Sequence, residues 1–72
     1  MNDVSKSDEL FIVLHRTGWS IGETAFGGRD RLTWLVYGTQ GGYELRAEAS
    51  EQAQAWEEAC RQAWELGLID PL

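Results

Sequence analysis

The sequence predicts an α+β domain: a helix, a three-stranded antiparallel β-meander and a second helix, with both helices on one face of the sheet. Three observations predict it. The segment Ser50–Leu66 repeats its apolar residues at helical spacing. Leu32–Tyr37 and Tyr43–Ala49 carry strand composition and strand alternation. The intervals around them are short and glycine-rich. The length of 72 residues suits one domain over 1–72, with the polar stretch 1–6 expected to fray.

The first helix is expected over 8–17. Ser7 stands where an N-cap belongs, Asp8 and Glu9 fill the first turn, His15 and Arg16 the last, and Gly18 follows. Leu10–Leu14 is apolar at every position and would also suit a buried strand; the end signals favour helix. Trp19–Phe26 reads as a first strand, weakened by Gly22. Gly27-Gly28-Arg29-Asp30 is a turn cluster. Leu32–Tyr37, rich in β-branched and aromatic residues, is the strongest strand, and 38–42 is read as the second turn. Alternation in the third strand puts Tyr43, Leu45 and Ala47 on one face and Glu44, Arg46 and Glu48 on the other. Short glycine turns between three strands imply antiparallel pairing.

Ser50 is read as the cap of the last helix, Gly67 as its stop, with Pro71 beyond. At 100° per residue, Ala53, Trp56, Ala59, Cys60, Ala63, Trp64 and Leu66 share one face. Glu51, Gln54, Glu58, Arg61, Gln62 and Glu65 share the other, where Arg61 is in reach of Glu57 and Glu65. Leu68 and Ile69 are expected to fold back onto the core.

Composition bounds the function. Hydrophobic residues make up 43% and charged residues 25%, as in a folded globular protein. Four tryptophans, Trp19, Trp34, Trp56 and Trp64, are read chiefly as compensation for small size, since each ring buries on the order of 200 Å². One cysteine, Cys60, excludes an internal disulfide, and with one histidine, His15, the chain falls short of the four Cys or His ligands a structural zinc site normally takes. No metal or cofactor is expected. The longest apolar run, Leu10–Leu14, falls far short of the roughly 20 residues of a membrane span and lacks the flanks of a secretory signal. A cytoplasmic location with no membrane contact is the expectation. The net charge of −6 is uneven, −1 over 1–42 and −5 over 43–72, which opposes binding to a phosphate backbone.

The central strand carries the functional reading. Leu32, Trp34 and Val36 alternate with Thr33, Leu35 and Tyr37, so both faces are apolar although helices are expected on one side only. Thr33, Leu35 and Tyr37 are therefore candidates for contact with a partner protein or a second copy, a homodimer included. Gly27–Arg31 could hold an anion, but it lacks the Gly-Lys-Ser/Thr ending of a phosphate loop and reads as an ordinary turn. His15 and Cys60 are the only pair available for thiol catalysis, and Cys60 falls on the apolar helix face, where a small buried hydrophobe is the simpler role. Catalysis also needs a water-excluding pocket, hard to build at this size. Glu51, Glu58 and Glu65 form an acidic stripe that reads as a solvated face, or alternatively as a phosphate mimic that would inhibit a nucleic-acid-binding protein.

Over Tyr43–Ala63, where Leu45-Arg46-Ala47-Glu48-Ala49-Ser50 runs into an alanine-rich helix, the layout resembles the double-stranded-RNA-binding domain. That resemblance implies a sheet with two helices on one face and phosphate contacts from the start of the last helix. Where the family carries lysines there, this chain has Glu51 and Gln52, and Lys6 is its one lysine. The layout is also similar to the three-strand-plus-helix DNA-binding domains of integrases and plant transcription factors, which read DNA with an Arg- and Trp-rich sheet. Here Arg46 stands between Glu44 and Glu48. Nucleic-acid binding is thus the second hypothesis, resting on Arg16, Arg29, Arg31 and Arg46. The first is a non-enzymatic interaction module that uses its sheet.

Overall fold

The computed structural model describes residues 6–68, and in it the end signals of the first segment prevail over its strand-like apolar run. Helix α1 spans Lys6–Arg16, with acids in its first turn and His15 and Arg16 in its last. Leu10 and Leu14, one turn apart, are buried, which leaves Phe11 and Ile12 partly in solvent. Ser7 does not cap the helix. It lies inside the first turn and is buried, because it shares a stripe with Leu10 and Leu14. At the other end Trp19 N–H donates to the Leu14 carbonyl at 3.2 Å and Gly18 N–H to that of His15 at 3.1 Å, the paired closure of a glycine C-terminus. Lys6 is helical, and the expected fraying otherwise concerns 1–5, outside the described residues.

Strands β1 (Ser20–Phe26), β2 (Thr33–Gln40) and β3 (Tyr43–Ala49) form an antiparallel sheet in the order β1-β2-β3. Trp19 precedes β1, and Leu32 precedes β2 with its side chain exposed. The segment 38–40, expected in a turn, continues β2. The reversal is confined to Gly41-Gly42, whose φ angles of 55° and 93° are the positive pair a two-residue hairpin needs to match strand twist.

Helix α2 spans Gln52–Glu65, and its N-cap is Glu51, which makes no side-chain capping bond, rather than Ser50. It too closes at a glycine: Leu68 N–H donates to the Ala63 carbonyl and Gly67 N–H to that of Trp64, both at 2.9 Å. Leu68 packs against the core as expected, and its carbonyl accepts from Trp19 Nε1–H at 2.8 Å. Ile69 and Pro71 lie outside the described residues.

Both helices pack on the same sheet face. α2 lies against β2 and β3, while α1 touches β1 and α2 and neither of the other strands. Four chain reversals separate the helices, so they run in the same direction. Their N-terminal ends flank one cleft, lined by Ser7 and Gln52, and the residues just beyond their C-terminal ends join through the Trp19–Leu68 bond. The core joins Leu10, Leu14 and Trp19 to Val36, Leu45 and Ala47 and to Ala55, Trp56, Ala59 and Ala63.

Two expectations for α2 are corrected. Trp64 is 59% exposed and Leu66 is exposed as well, although both were placed on the apolar face. The buried arc is narrower than the apolar one: eight residues turn the helix by roughly 80° beyond two full turns, carrying Trp64 past the edge defined by Trp56. Arg61 pairs with Glu65, at 2.5 Å, and with Glu58, three residues back, instead of Glu57.

The Arg61 guanidinium, helped by the Gln62 amide, holds the Glu58 carboxyl down from the ordinary 4.5 to about 2. Because the folded value lies below the unfolded one, this contribution is complete above about pH 4.5 and is lost as pH falls through about 2. Solvent screens the pair, so its weight in stability is small. NMR titration should show Glu58 titrating well below the ordinary carboxylate range, and Arg61→Ala should return it to that range. An ordinary midpoint in the unaltered chain would contradict the pairing.

Candidate interaction surface

Register decides which side chains share the face that no helix covers. Tyr37 sits opposite Gly22 on one side and Arg46 on the other; Leu35 sits opposite Thr24 and Glu48, and Thr33 opposite Phe26. Cross-strand partners project to the same side. The outer face is therefore a central row of Thr33, Leu35, Tyr37 and Thr39, flanked by Ser20, Gly22, Thr24 and Phe26 on β1 and by Glu44, Arg46 and Glu48 on β3. Trp34 and Val36 face the helices.

Thr33 and Leu35 are partly buried by their neighbours, whereas Tyr37 is 49% and Phe26 48% exposed. The Tyr37 ring leans over Gly22, where an added Cβ would meet Tyr37 Oη at 3.3 Å. Gly22, a weakness for a strand in isolation, makes room for that ring. On the opposite flank Arg46 Nη2 donates to Glu48 Oε2 at 3.2 Å. An apolar and aromatic centre thus meets a charged rim along β3, the arrangement common at protein interfaces.

The four arginines considered for nucleic acid do not converge. Arg16 ends α1, Arg29 and Arg31 sit in the β1–β2 loop at the far end of β1, and Arg46 on the sheet face is paired with Glu48. The acidic stripe on α2 is partly neutralised from within, since Arg61 engages both Glu58 and Glu65. His15 stacks on Phe11, with ring centroids 5.7 Å apart, and Cys60 is partly buried. Among the described residues no three His, Cys, Asp or Glu side chains gather as metal ligands would, and no helix is long and apolar enough to cross a membrane.

One polar constellation escaped the sequence reading. Glu23 points to the inner face, into a cleft of about 240 Å³ beside Phe11 and Trp56. Its Oε1 accepts from Trp56 Nε1–H at 2.6 Å, and both carboxylate oxygens accept from Gln52 Nε2 at 3.0 Å. The buried indole thereby keeps its hydrogen bond, which explains a carboxylate among inward positions. A signal existed: Ile21, Glu23 and Ala25 alternate, so a charge interrupts an apolar row. Its partner lies 33 residues away, beyond any local pattern.

The β3 edge is engaged by a side chain at one position. Arg46 N–H donates to Gln62 Oε1 at 3.1 Å, and Gln62 Nε2 donates back to the Arg46 carbonyl at 2.8 Å. One side-chain amide occupies the place a neighbouring strand would take. Comparison of the chain with protein-family models, curated proteins and solved structures finds no match.

Proposed function

We propose that the chain is a non-catalytic protein-interaction module whose contact surface is the outer face of its sheet. The observation that supports this reading is the placement of both helices on one face. No helix covers Leu35 or Tyr37 on the other, where Tyr37 and, at the end of β1, Phe26 are about half exposed. A domain this small hides only roughly 60% of its chain surface, so the half-exposed Tyr37 ring at the sheet centre is where a partner adds most apolar burial. Tyrosine suits that role, because its ring gives area and its hydroxyl keeps a polar contact. The dispersed arginines and the net charge of −6 favour a protein partner over nucleic acid.

The double variant Leu35→Lys/Tyr37→Lys tests the proposal. Both side chains sit on the uncovered face, so the circular dichroism spectrum and melting temperature should change little. Proteins captured from the source cell by the unaltered chain should be released by the variant. A loss of about 2 kcal/mol or more, roughly 30-fold in affinity, is expected if Tyr37 anchors the contact. Retention of every captured protein by a folded variant would overturn the reading.

A further inference from the structure

The cleft between the helices and β1 combines aromatic and acidic walls. Its volume of about 240 Å³ lies below the roughly 300–1,000 Å³ of sites for drug-sized molecules, so it suits one side-chain-sized group. Phe11 and Trp56 meet edge to face at its wall, with ring centroids 5.7 Å apart. His15 stacks on the Phe11 ring from one turn later in α1, while Ser7, one turn earlier, lines the cleft. Phe11, 38% exposed, thus offers ring surface to the cleft.

Charge decides the sign of an occupant. The N-terminal ends of α1 and α2 flank the cleft, and each carries the equivalent of about half a positive charge. Together they offset roughly one carboxylate, and the lining holds two, Asp8 and Glu23. A cation is therefore drawn in, by a chain whose net charge is −6. Glu23 is already oriented for it. Its Oε1 accepts from both Trp56 Nε1–H and Gln52 Nε2, whereas among the described residues Oε2 accepts from Gln52 Nε2 alone. A carboxylate offers about four acceptor positions, so holding the indole leaves one on Oε2, and Glu23 is exposed to solvent.

We infer that this cleft binds a guanidinium group carried on an aliphatic stem. The flat cation lies against the Phe11 ring and donates to Glu23 Oε2, while the stem meets the apolar part of the lining. Guanidinium is preferred to ammonium because it is planar, presents several N–H donors and is less strongly hydrated. It can stack on a ring and reach a carboxylate at once. The group can belong to an arginine side chain of another protein or to a small free molecule. The cleft is on the helix side of the sheet, so its binding is independent of what the Leu35–Tyr37 face contacts.

NMR titration of the full chain tests this, read at the Trp56 indole N–H that Glu23 holds. N-butylguanidinium should shift that resonance with a dissociation constant of about 1–10 mM, as expected for one small group in an open cleft. N-butylurea, its neutral isostere, should bind about 10-fold more weakly or less, and n-butylammonium should fall between them. Glu23→Gln can still accept from the indole and should stay folded, with binding about 10-fold weaker. Phe11→Leu should weaken it roughly 2-fold to 5-fold. Leu35→Lys/Tyr37→Lys should bind N-butylguanidinium normally, which separates the cleft from the outer face. If N-acetyl-arginine methylamide binds as tightly as N-butylguanidinium, the group belongs to a protein side chain; if N-butylguanidinium binds alone, to a small molecule. Either result supports the cleft. An indole resonance that stays put well above millimolar concentration would overturn the inference. So would equal binding of N-butylurea to the unaltered chain, a comparison that needs no variant to fold, or full binding by a folded Glu23→Gln.

Discussion

Trp19→Ala should leave the chain largely unfolded at 25 °C. The Trp19 ring is 1% exposed and packs in the core with Leu14 and Val36. Truncating a buried tryptophan costs about 3–5 kcal/mol through lost burial and the cavity left behind. The variant also takes away the 2.8 Å bond from Nε1–H to the Leu68 carbonyl, which ties the entrance of β1 to the tail of α2. A domain of this length has a total stability of about 4–11 kcal/mol, so the loss is comparable with the whole margin. Trp19→Phe should retain most of the packing and lose the bond, for about 1–2 kcal/mol. Trp64→Ala, at a ring 59% exposed, should stay within about 0.5 kcal/mol of the unaltered chain. Urea melts followed by circular dichroism rank the three. If Trp19→Ala melts beside the unaltered chain, the account of the core is wrong.

The second large effect is expected at a glycine. Gly27 has a φ of 132°, a conformation closed to ordinary L residues, and it stands where β1 leaves the sheet. An added Cβ would be driven into the Arg31 carbonyl oxygen, because the loop folds back on itself before β2 begins. Backbone strain alone is worth about 1–3 kcal/mol, and displacing the Arg31 carbonyl disturbs the Phe26–Thr33 pair that opens the β1–β2 ladder. At roughly 4–8 °C per kcal/mol for a domain this small, Gly27→Ala should melt about 10 °C or more below the unaltered chain. Gly28→Ala is the internal control, since nothing lies within 4 Å of its added Cβ and its φ is not positive. Equal melting temperatures for the two variants would mean that the loop does not hold this shape in solution.

Adjacent glycines with opposite expectations mark the limit of what could be read from residues. The cluster 27–30 was legible as a turn, yet the Arg31 carbonyl beside Gly27 was not, since that contact depends on how the loop closes. Similarly, the alternation of Tyr43–Ala49 correctly placed Leu45 and Ala47 inward. The extent of β2 is not legible in this way, because Gly38 has the composition of a turn and instead lies buried within the strand. Thr33, Leu35 and Tyr37 could be grouped on one face from period two alone. The exposure of Tyr37 could not, since it rests on where the helices pack and on how the ring leans over Gly22.

The order of elements, the antiparallel meander and the glycine stop of α1 follow from the chain itself, because periodicity, turn chemistry and helix termination act between residues a few positions apart. Which tryptophans are buried, how Glu23 serves Trp56, and how Gln62 engages the β3 edge at Arg46 were decided only by the fold. Each depends on a distance between segments far apart in sequence, such as Gln62 and Arg46, and no local spacing encodes such a distance.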